Sequence, residues 1–375
     1  MRVGILTFPN SRSYGAALQM YGLYQTCQNL GYDAEIMNYF NHWMKQERHT
    51  TNGKELSRSV LWVKRNMSNL LHIRMKRHFK QFENEMVKYP KSATTDIAQL
   101  PVLAKRYGAV ICGSDQVWNP DITNKDLSYF LNFCGPETVR ISFAPSFGVE
   151  SLPESYANTV RSELEAFDHL SVREETGKNL IREISGLDAK LVIDPTLLLN
   201  ADQWQKYEKR QSQAKGEYIL YYTIRSSRTL WKHCLDLARK TNMKILRIGS
   251  NMISSQFKKT YGVEYVCDAG PAEWLYLVRN ASYVVTNSFH GTAFSVNFRK
   301  NFYVEFSSFT NSRLSNIVNL LGLEERVLWE GMEISPSSTD YSKTESVLPQ
   351  LVEESTAFLI EALKDAAMKQ EEYHA

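Results

Sequence analysis

Tyr283-Val284-Val285 leads directly into Thr286-Asn287-Ser288-Phe289-His290-Gly291-Thr292. A short apolar run ends in a tip of small polar residues, and the residues after it read as a helix beginning near Thr292. This is the pattern of a buried strand handing over to a helix, with Gly291 permitting the turn. Parallel strands can be joined only through such crossovers, so the stretch predicts an α/β fold with a parallel sheet.

The same step recurs on both sides of it. Upstream, strands are expected at Val3–Phe8, Ala34–Tyr39, Ala109–Cys112, Val139–Phe143, Leu170–Arg173 and Lys190–Ile193. Helices are expected from about Gly15 to Leu30, with Gly31 as the closing residue, and over 151–167. Nearer the opening stretch, strands are expected at Tyr218–Tyr222, Lys244–Ile248 and Glu264–Val266, with helices over 227–241 and from Pro271 to Asn280. Asn301–Phe306 reads as a strand beyond it.

At 375 residues the chain exceeds one ordinary hydrophobic core. Composition turns polar and charged over 200–217, which marks a boundary. The expected organisation is a first domain over 1–205 with a helical insertion at 42–90, a second over 206–345, and a C-terminal helix over 346–375. That helix carries Leu348, Leu351, Phe358, Leu359, Ala362 and Leu363, and it is expected to pack back on the first domain. Two sheets in tandem would face a shared cleft, with ligands at the carboxyl ends of the strands.

The net charge of +3 argues against a general nucleic-acid binder. The five cysteines lack any CxxC pair, which suits reduced, buried thiols of a cytoplasmic protein. No signal pattern opens the chain and no run is long enough to span a bilayer. Basic residues gather between Lys45 and Lys91, Arg74, Lys76 and Arg77 among them. A solvated helical excursion is the preferred reading of that segment. The alternative is peripheral contact with an anionic membrane face or a diphosphate-linked lipid. There is no dinucleotide fingerprint, G-x-S-x-G, Walker A, H-E-x-x-H or paired-aspartate metal loop, so neither a metal nor a bound cofactor is expected.

Chemistry is expected in the strand-end loops. At 286–292 the backbone amides, with Ser288, Gly291, Thr292 and the helix dipole, would hold a phosphate or carboxylate. His290 would donate to that anion or act as general acid; the competing reading is a helix cap with a merely satisfied histidine. Arg173, at a strand end, would clamp an anion with two hydrogen bonds or form an ion pair with a nearby Glu. Asp115 is a candidate base. Gln116 and Asn119 suit sugar hydroxyls, and Trp118 would either stack on a sugar face or belong to the core. Tyr14, beside the first helix, joins this acceptor-facing group. Arg313 is a further anion candidate in a loop after the last strand. Asp194-Pro195 reads as a strand stop.

The ordered set Gly4-Ile5-Leu6-Thr7-Phe8, Tyr14-Gly15-Ala16-Ala17-Leu18-Gln19, Gly113-Ser114-Asp115-Gln116-Val117-Trp118-Asn119, Ser142-Phe143-Ala144-Pro145-Ser146-Phe147-Gly148, Ser171-Val172-Arg173-Glu174, Asp194-Pro195-Thr196-Leu197 and Thr286-Asn287-Ser288-Phe289-His290-Gly291 resembles the polysaccharide pyruvyl transferase family. The resemblance implies two Rossmann-like domains facing a central cleft, as in GT-B glycosyltransferases. It implies phosphoenolpyruvate as donor, a sugar of a surface polysaccharide or its lipid-linked precursor as acceptor, and a pyruvate ketal as product. By position it makes His290 the essential histidine and Arg173 the donor-binding arginine, and it puts Phe289 in the donor pocket. Some members carry an arginine within the histidine motif where this chain has Asn287 or Ser288, and Arg313 would supply that charge. The other functions weighed are a nucleotide-sugar glycosyltransferase of the same architecture and a non-catalytic glycan-binding module.

Overall fold

The computed structural model describes residues 1–9, 11–39, 73–90, 96–248, 262–306 and 311–374. Most of the basic segment 45–91 lies outside them. Its described part, 73–90, begins with a helix over 73–86 that exposes Arg74, Lys76 and Arg77 and buries Phe79 and Phe82.

The chain divides into two compact units. One takes in Met1–Gly53, Asn84–Leu198 and Pro349–Ala375, the other Lys54–Glu83 and Leu199–Leu348. The first is built on four parallel strands in the order β2-β1-β3-β4: β1 Arg2–Leu6, β2 Asp33–Ile36, β3 Ala109–Cys112 and β4 Val139–Ser142. Val3 lies in register with Ala34 on one side and Ala109 on the other, so β1 is central. Past β4 the pleat continues loosely, with Ser142 N–H donating to His169 O at 2.9 Å, into the short parallel pair β5 Ser171–Val172 and β6 Lys190–Leu191.

Helix α1 (Tyr14–Asn29) is almost wholly buried. Ser13 caps its start, and Gly31 closes its far end at φ +88°, a left-handed turn that only glycine takes without strain. Helices α2 (Glu154–Glu165) and α3 (Glu175–Ser185) pack with the core of Trp118, Phe130, Phe147, Val160, Leu164 and Ile181.

The second unit holds six parallel strands in the order β12-β11-β10-β7-β8-β9: β7 Tyr218–Tyr222, β8 Lys244–Ile248, β9 Val263–Val266, β10 Tyr283–Thr286, β11 Asn301–Glu305 and β12 Val327–Leu328. Two-residue β12 has too short an apolar run to be read from sequence. The chain lays β7, β8 and β9 outward in one direction, then returns to β7 and lays β10, β11 and β12 in the other. The reversal falls between β7 and β10, where Tyr283 pairs Ile219. Helix α4 (Arg228–Thr241) covers one face, with Leu230, Cys234 and Leu237 against Ile219, Tyr221 and Ile245. Helices α5 (Pro271–Asn280) and α6 (Phe289–Asn297) follow β9 and β10. Helix α7 (Asn311–Leu321) follows β11.

The last helix, α8 (Ser342–His374), contains Pro349, and the division between the units falls at that residue. From there on it packs on the first unit. Leu359, Ala362, Leu363 and Ala366 are buried, Phe358 meets Phe143 with ring centroids 6.3 Å apart, and Ser355 Oγ accepts from Ile193 N–H at 3.0 Å. His169 Nε2 lies 2.9 Å from Asp365 Oδ2. The helix begins four residues earlier than its apolar stripe predicts, because Asp340 Oδ1 accepts from the Ser342 N–H at 2.9 Å and anchors its first turn.

Burial raises the thiols of Cys27 and Cys134 to about 12, and those of Cys112 and Cys234 further. None of the five cysteines forms a disulfide.

Candidate functional site

Both units turn around at the middle of their sheets, and loops at such reversals leave the crevice in which α/β proteins bind ligands. In the first unit the reversal lies between β1 and β3. Thr7 Oγ1 donates to Ser114 O at 2.9 Å, and Gln19 Nε2 donates to Thr7 Oγ1 at 2.9 Å, so α1 and the two strand ends are tied together.

The next residue, Asp115, takes φ +81°. A side chain with a Cβ enters that region at a cost, and the structure around it holds it there: Asp115 O accepts from Ser146 N–H at 2.9 Å and Asp115 Oδ1 from Gln116 N–H at 2.9 Å. The other carboxylate oxygen takes no hydrogen bond among the described residues.

Beside it lies a buried ionic cluster. Arg173 is 5% exposed, and its Nη1 donates to Asp194 Oδ2 at 2.7 Å while its Nε donates to Glu174 Oε2 at 3.4 Å. Ser114 Oγ donates to Asp194 Oδ2 at 2.9 Å, Thr196 Oγ1 to Asp194 Oδ1 at 2.7 Å, and Ser146 Oγ to Glu174 Oε1. Burial works against the arginine's charge, but Asp194, Glu174 and Asp115 outweigh it and hold its pKa above the ordinary value. The ion pair offered as the alternative for Arg173 is therefore present, and it takes in Asp194 as well as Glu174. In the sequence Asp194 stands out only as a strand stop. Its signal was the Asp-Pro-Thr triplet, in which Asp194 also caps the turn Pro195–Leu197.

Trp118 needs correction as a sugar platform. It is 0% exposed, stacked on Phe130 at 5.0 Å, and its Nε1 donates to Tyr129 O at 3.0 Å. The indole is core and fixes the loop from below. Asn119 is buried too: its Nδ2 donates to Gln116 Oε1 at 2.9 Å and its Oδ1 accepts from Asp121 N–H at 3.0 Å. Gln116 Nε2 is the amide group of this loop left without a partner among the described residues. Tyr14 is buried as the first residue of α1.

In the second unit the reversal lies between β7 and β10, and Asn287 spans it. Its Oδ1 accepts from Ile224 N–H at 3.0 Å and its Nδ2 donates to Arg225 O at 2.9 Å. Ser288 is the N-cap of α6, accepting from Gly291 N–H at 3.2 Å, so the helix starts at Phe289 rather than near Thr292. His290 sits in its first turn, 6% exposed, edge-on to Phe289 at 5.2 Å. The positive end of the helix dipole falls here.

Gly291 works differently from the expected turn. It lies inside the helix, where a Cβ would come 2.4 Å from Thr286 Oγ1 and 3.1 Å from the Tyr222 ring. Its absence of side chain lets the first turn sit down on β7 and β10. The hydroxyls of Ser288 and Thr292 are buried and committed, the latter donating to Ser288 O at 3.1 Å. Their hydroxyls shape the turn. Arg313 lies in the first turn of α7, 8% exposed, and not in a loop. Among the described residues no cluster of three or more His, Cys, Asp or Glu could hold a metal, and no helix is long and apolar enough to cross a membrane.

With this geometry in place, comparison with known proteins adds a family. The model of the family described as polysaccharide pyruvyl transferase matches residues 14–304. No curated protein sequence matches the chain. Solved structures with a similar course include the UDP-GlcNAc 2-epimerase of Methanocaldococcus jannaschii, at 12% identity and TM-score 0.45, covering 94% of this chain and 92% of that one. A putative UDP-N-acetylglucosamine 2-epimerase from Listeria monocytogenes is similar at 8% identity and TM-score 0.49, covering 96% and 91%. The E. coli heptosyltransferase WaaC is similar at 11% identity and TM-score 0.42, covering 82% and 89%.

Proposed function

The chain belongs to the polysaccharide pyruvyl transferase family, and on that footing we propose that it moves pyruvate from phosphoenolpyruvate onto two hydroxyls of one sugar in a surface polysaccharide or its lipid-linked precursor. The observation that carries the reading is the placement of His290, in the first turn of α6 and beside the sheet reversal.

The chemistry asks for three things. An acid must protonate the methylene carbon of phosphoenolpyruvate, which makes the central carbon electrophilic. One sugar hydroxyl then adds there and gives up its proton to a base, phosphate departs with the C–O bonding pair, and a second hydroxyl closes the ketal, its proton leaving with the phosphate. His290 is the acid we assign, with the helix end holding the donor's charge and Phe289 walling the pocket. Asp115, with one carboxylate oxygen open, is the base we assign for the acceptor hydroxyl, with Gln116 as a reader of the sugar. Arg173 and Arg313 complete the donor set in this reading, Arg173 acting within its cluster of Asp194 and Glu174. The donor is a substrate, and the reaction needs no bound cofactor. A cytoplasmic location fits a donor made there.

The test is phosphate release from phosphoenolpyruvate by the purified protein across a panel of sugars and lipid-linked glycans, with the product weighed by mass spectrometry. A sugar carrying the mass of a pyruvate ketal supports the proposal. Release of a nucleoside diphosphate from a sugar nucleotide, with no phosphate from phosphoenolpyruvate, would sink it.

A further inference from the structure

Arg247, on β8, is in register with Tyr221 of β7 and Tyr265 of β9. Its guanidinium carbon lies 5.3 Å from the Tyr221 ring centroid, 5.2 Å from that of Trp231 on α4, and 5.9 Å from that of Tyr265. Tyr221 and Trp231 themselves meet edge to face at 4.9 Å. Three rings therefore surround one cation. Ring faces stabilise the charge but accept none of the five N–H groups of a guanidinium in hydrogen-bonding geometry.

Among the described residues those donors find no acceptor: the Arg247 guanidinium meets these three rings and makes no hydrogen bond or ion pair, and the side chain is partly buried. Other arginines of this unit differ. Arg279 donates to Glu208 at 2.6 Å, and Arg326 to Ser337 O at 3.2 Å. The acid whose charge also reaches Tyr221, Glu305, is engaged by Ser227 Oγ at 2.9 Å. A positioned arginine without an oxygen partner is ready for one from a ligand.

The surroundings favour an anion. Arg247 is one residue short of the carboxyl end of β8, next to β7 and the sheet reversal. Ser227 caps the start of the fourteen-residue helix α4, whose dipole points its positive end here, and Arg228 beside it is exposed, with no partner among the described residues. The place is distinct from that of His290. Tyr221 faces α4, whereas its neighbour Tyr222 faces α6 across the sheet.

We propose that Arg247, presented by Tyr221, Trp231 and Tyr265, is an oxyanion-binding residue that takes the phosphate of a phosphorylated ligand on the α4 side of the second unit. The phosphate belongs either to phosphoenolpyruvate or to the diphosphate of a carrier-linked acceptor. The assignment does not rest on His290 being catalytic.

The experiment is calorimetric titration of the full chain with pyrophosphate and with phosphoenolpyruvate, followed in parallel by tryptophan emission. Wild type should bind at least one probe saturably. Arg247→Gln should weaken that binding at least about ten-fold, the loss expected for a charge-assisted contact. The emission change should vanish in Trp231→Phe, and His290→Gln should retain binding at this site. Preference for pyrophosphate assigns the site to a carrier diphosphate, and preference for phosphoenolpyruvate assigns it to the donor. Absence of saturable binding of either probe to wild type overturns the proposal, as does unchanged affinity in a folded Arg247→Gln. Should that variant fail to fold, Arg247→Lys replaces it: it keeps the charge, loses the fork, and must also bind more weakly. Binding lost in His290→Gln but intact in Arg247→Gln would remove this site and leave the proposed function standing.

Discussion

Arg173 Nη1 meets Asp194 Oδ2 at 2.7 Å with both side chains closed to solvent, at 3% and 0% exposure. A guanidinium so placed holds β5, β6 and the loop after β3 together, because Ser114 also binds Asp194. Removing it strands two carboxylates in the interior. Arg173→Ala should therefore cost about 3–5 kcal/mol of stability, the usual price of breaking a buried pair from one side. Arg173→Lys should cost less, since it keeps the charge. Thermal melting checks both. Unchanged melting together with a raised KM for phosphoenolpyruvate would make Arg173 a donor clamp alone.

His290 should behave in the opposite way. It makes the first turn of α6 but does not cap it, since Ser288 does. His290→Gln and His290→Ala should melt close to wild type and lose about 10²–10⁴ in turnover. Phosphate release under saturating phosphoenolpyruvate reads this directly, and near-normal turnover in His290→Gln would remove it as the acid.

Gly291→Ala puts a methyl carbon 2.4 Å from Thr286 Oγ1. The first turn must lift from the sheet, which should cost about 1–3 kcal/mol and carry His290 with it. Stability and turnover should fall together in this variant, unlike in His290→Gln. A melting curve and an activity both like wild type would mean that the turn has room to spare.

Trp118→Phe should lower stability while leaving the KM for the sugar acceptor unchanged in whatever protein remains folded. The ring packs against Phe130, Phe147 and Phe167 and touches no solvent. A raised acceptor KM at unaltered stability would reinstate it as a sugar platform.

Thiol labelling tests the burial of the cysteines. With four thiols buried and shifted upward, alkylation at pH 8 should modify Cys267 first and the other four only in denaturant. Rapid labelling of Cys112 in the native protein would contradict the packing of β3.

The strands were legible because period and punctuation agree: Tyr218–Tyr222, Lys244–Ile248 and Ala109–Cys112 have the bounds read from sequence. The sites were legible as loops and less so as partners. His290 and Asp115 announce themselves at strand ends. That Asp194 and Glu174 would close on Arg173 depends on which strands become neighbours, and sequence spacing does not carry that. Trp118 shows the converse, for the same motif can aim an indole outward or into the core, and only the packing of Phe130 decides it. Arg247 carries no motif at all. Its significance arises from rings on two neighbouring strands and a helix.

The helix beyond Pro349 has a consequence for how the protein is made. The first unit begins with residue 1, yet its Phe143 and Ile193 meet Phe358 and Ser355, which follow the whole of the second unit in the chain and lie on a helix that buries Leu359 and Ala362. A ribosome delivers residues in order, so the first unit waits with an apolar face uncovered while about 150 further residues emerge, on the order of ten seconds or more at ordinary elongation rates. The second unit can condense in the meantime, and nascent chains stalled before residue 349 should be the ones that a chaperone holds.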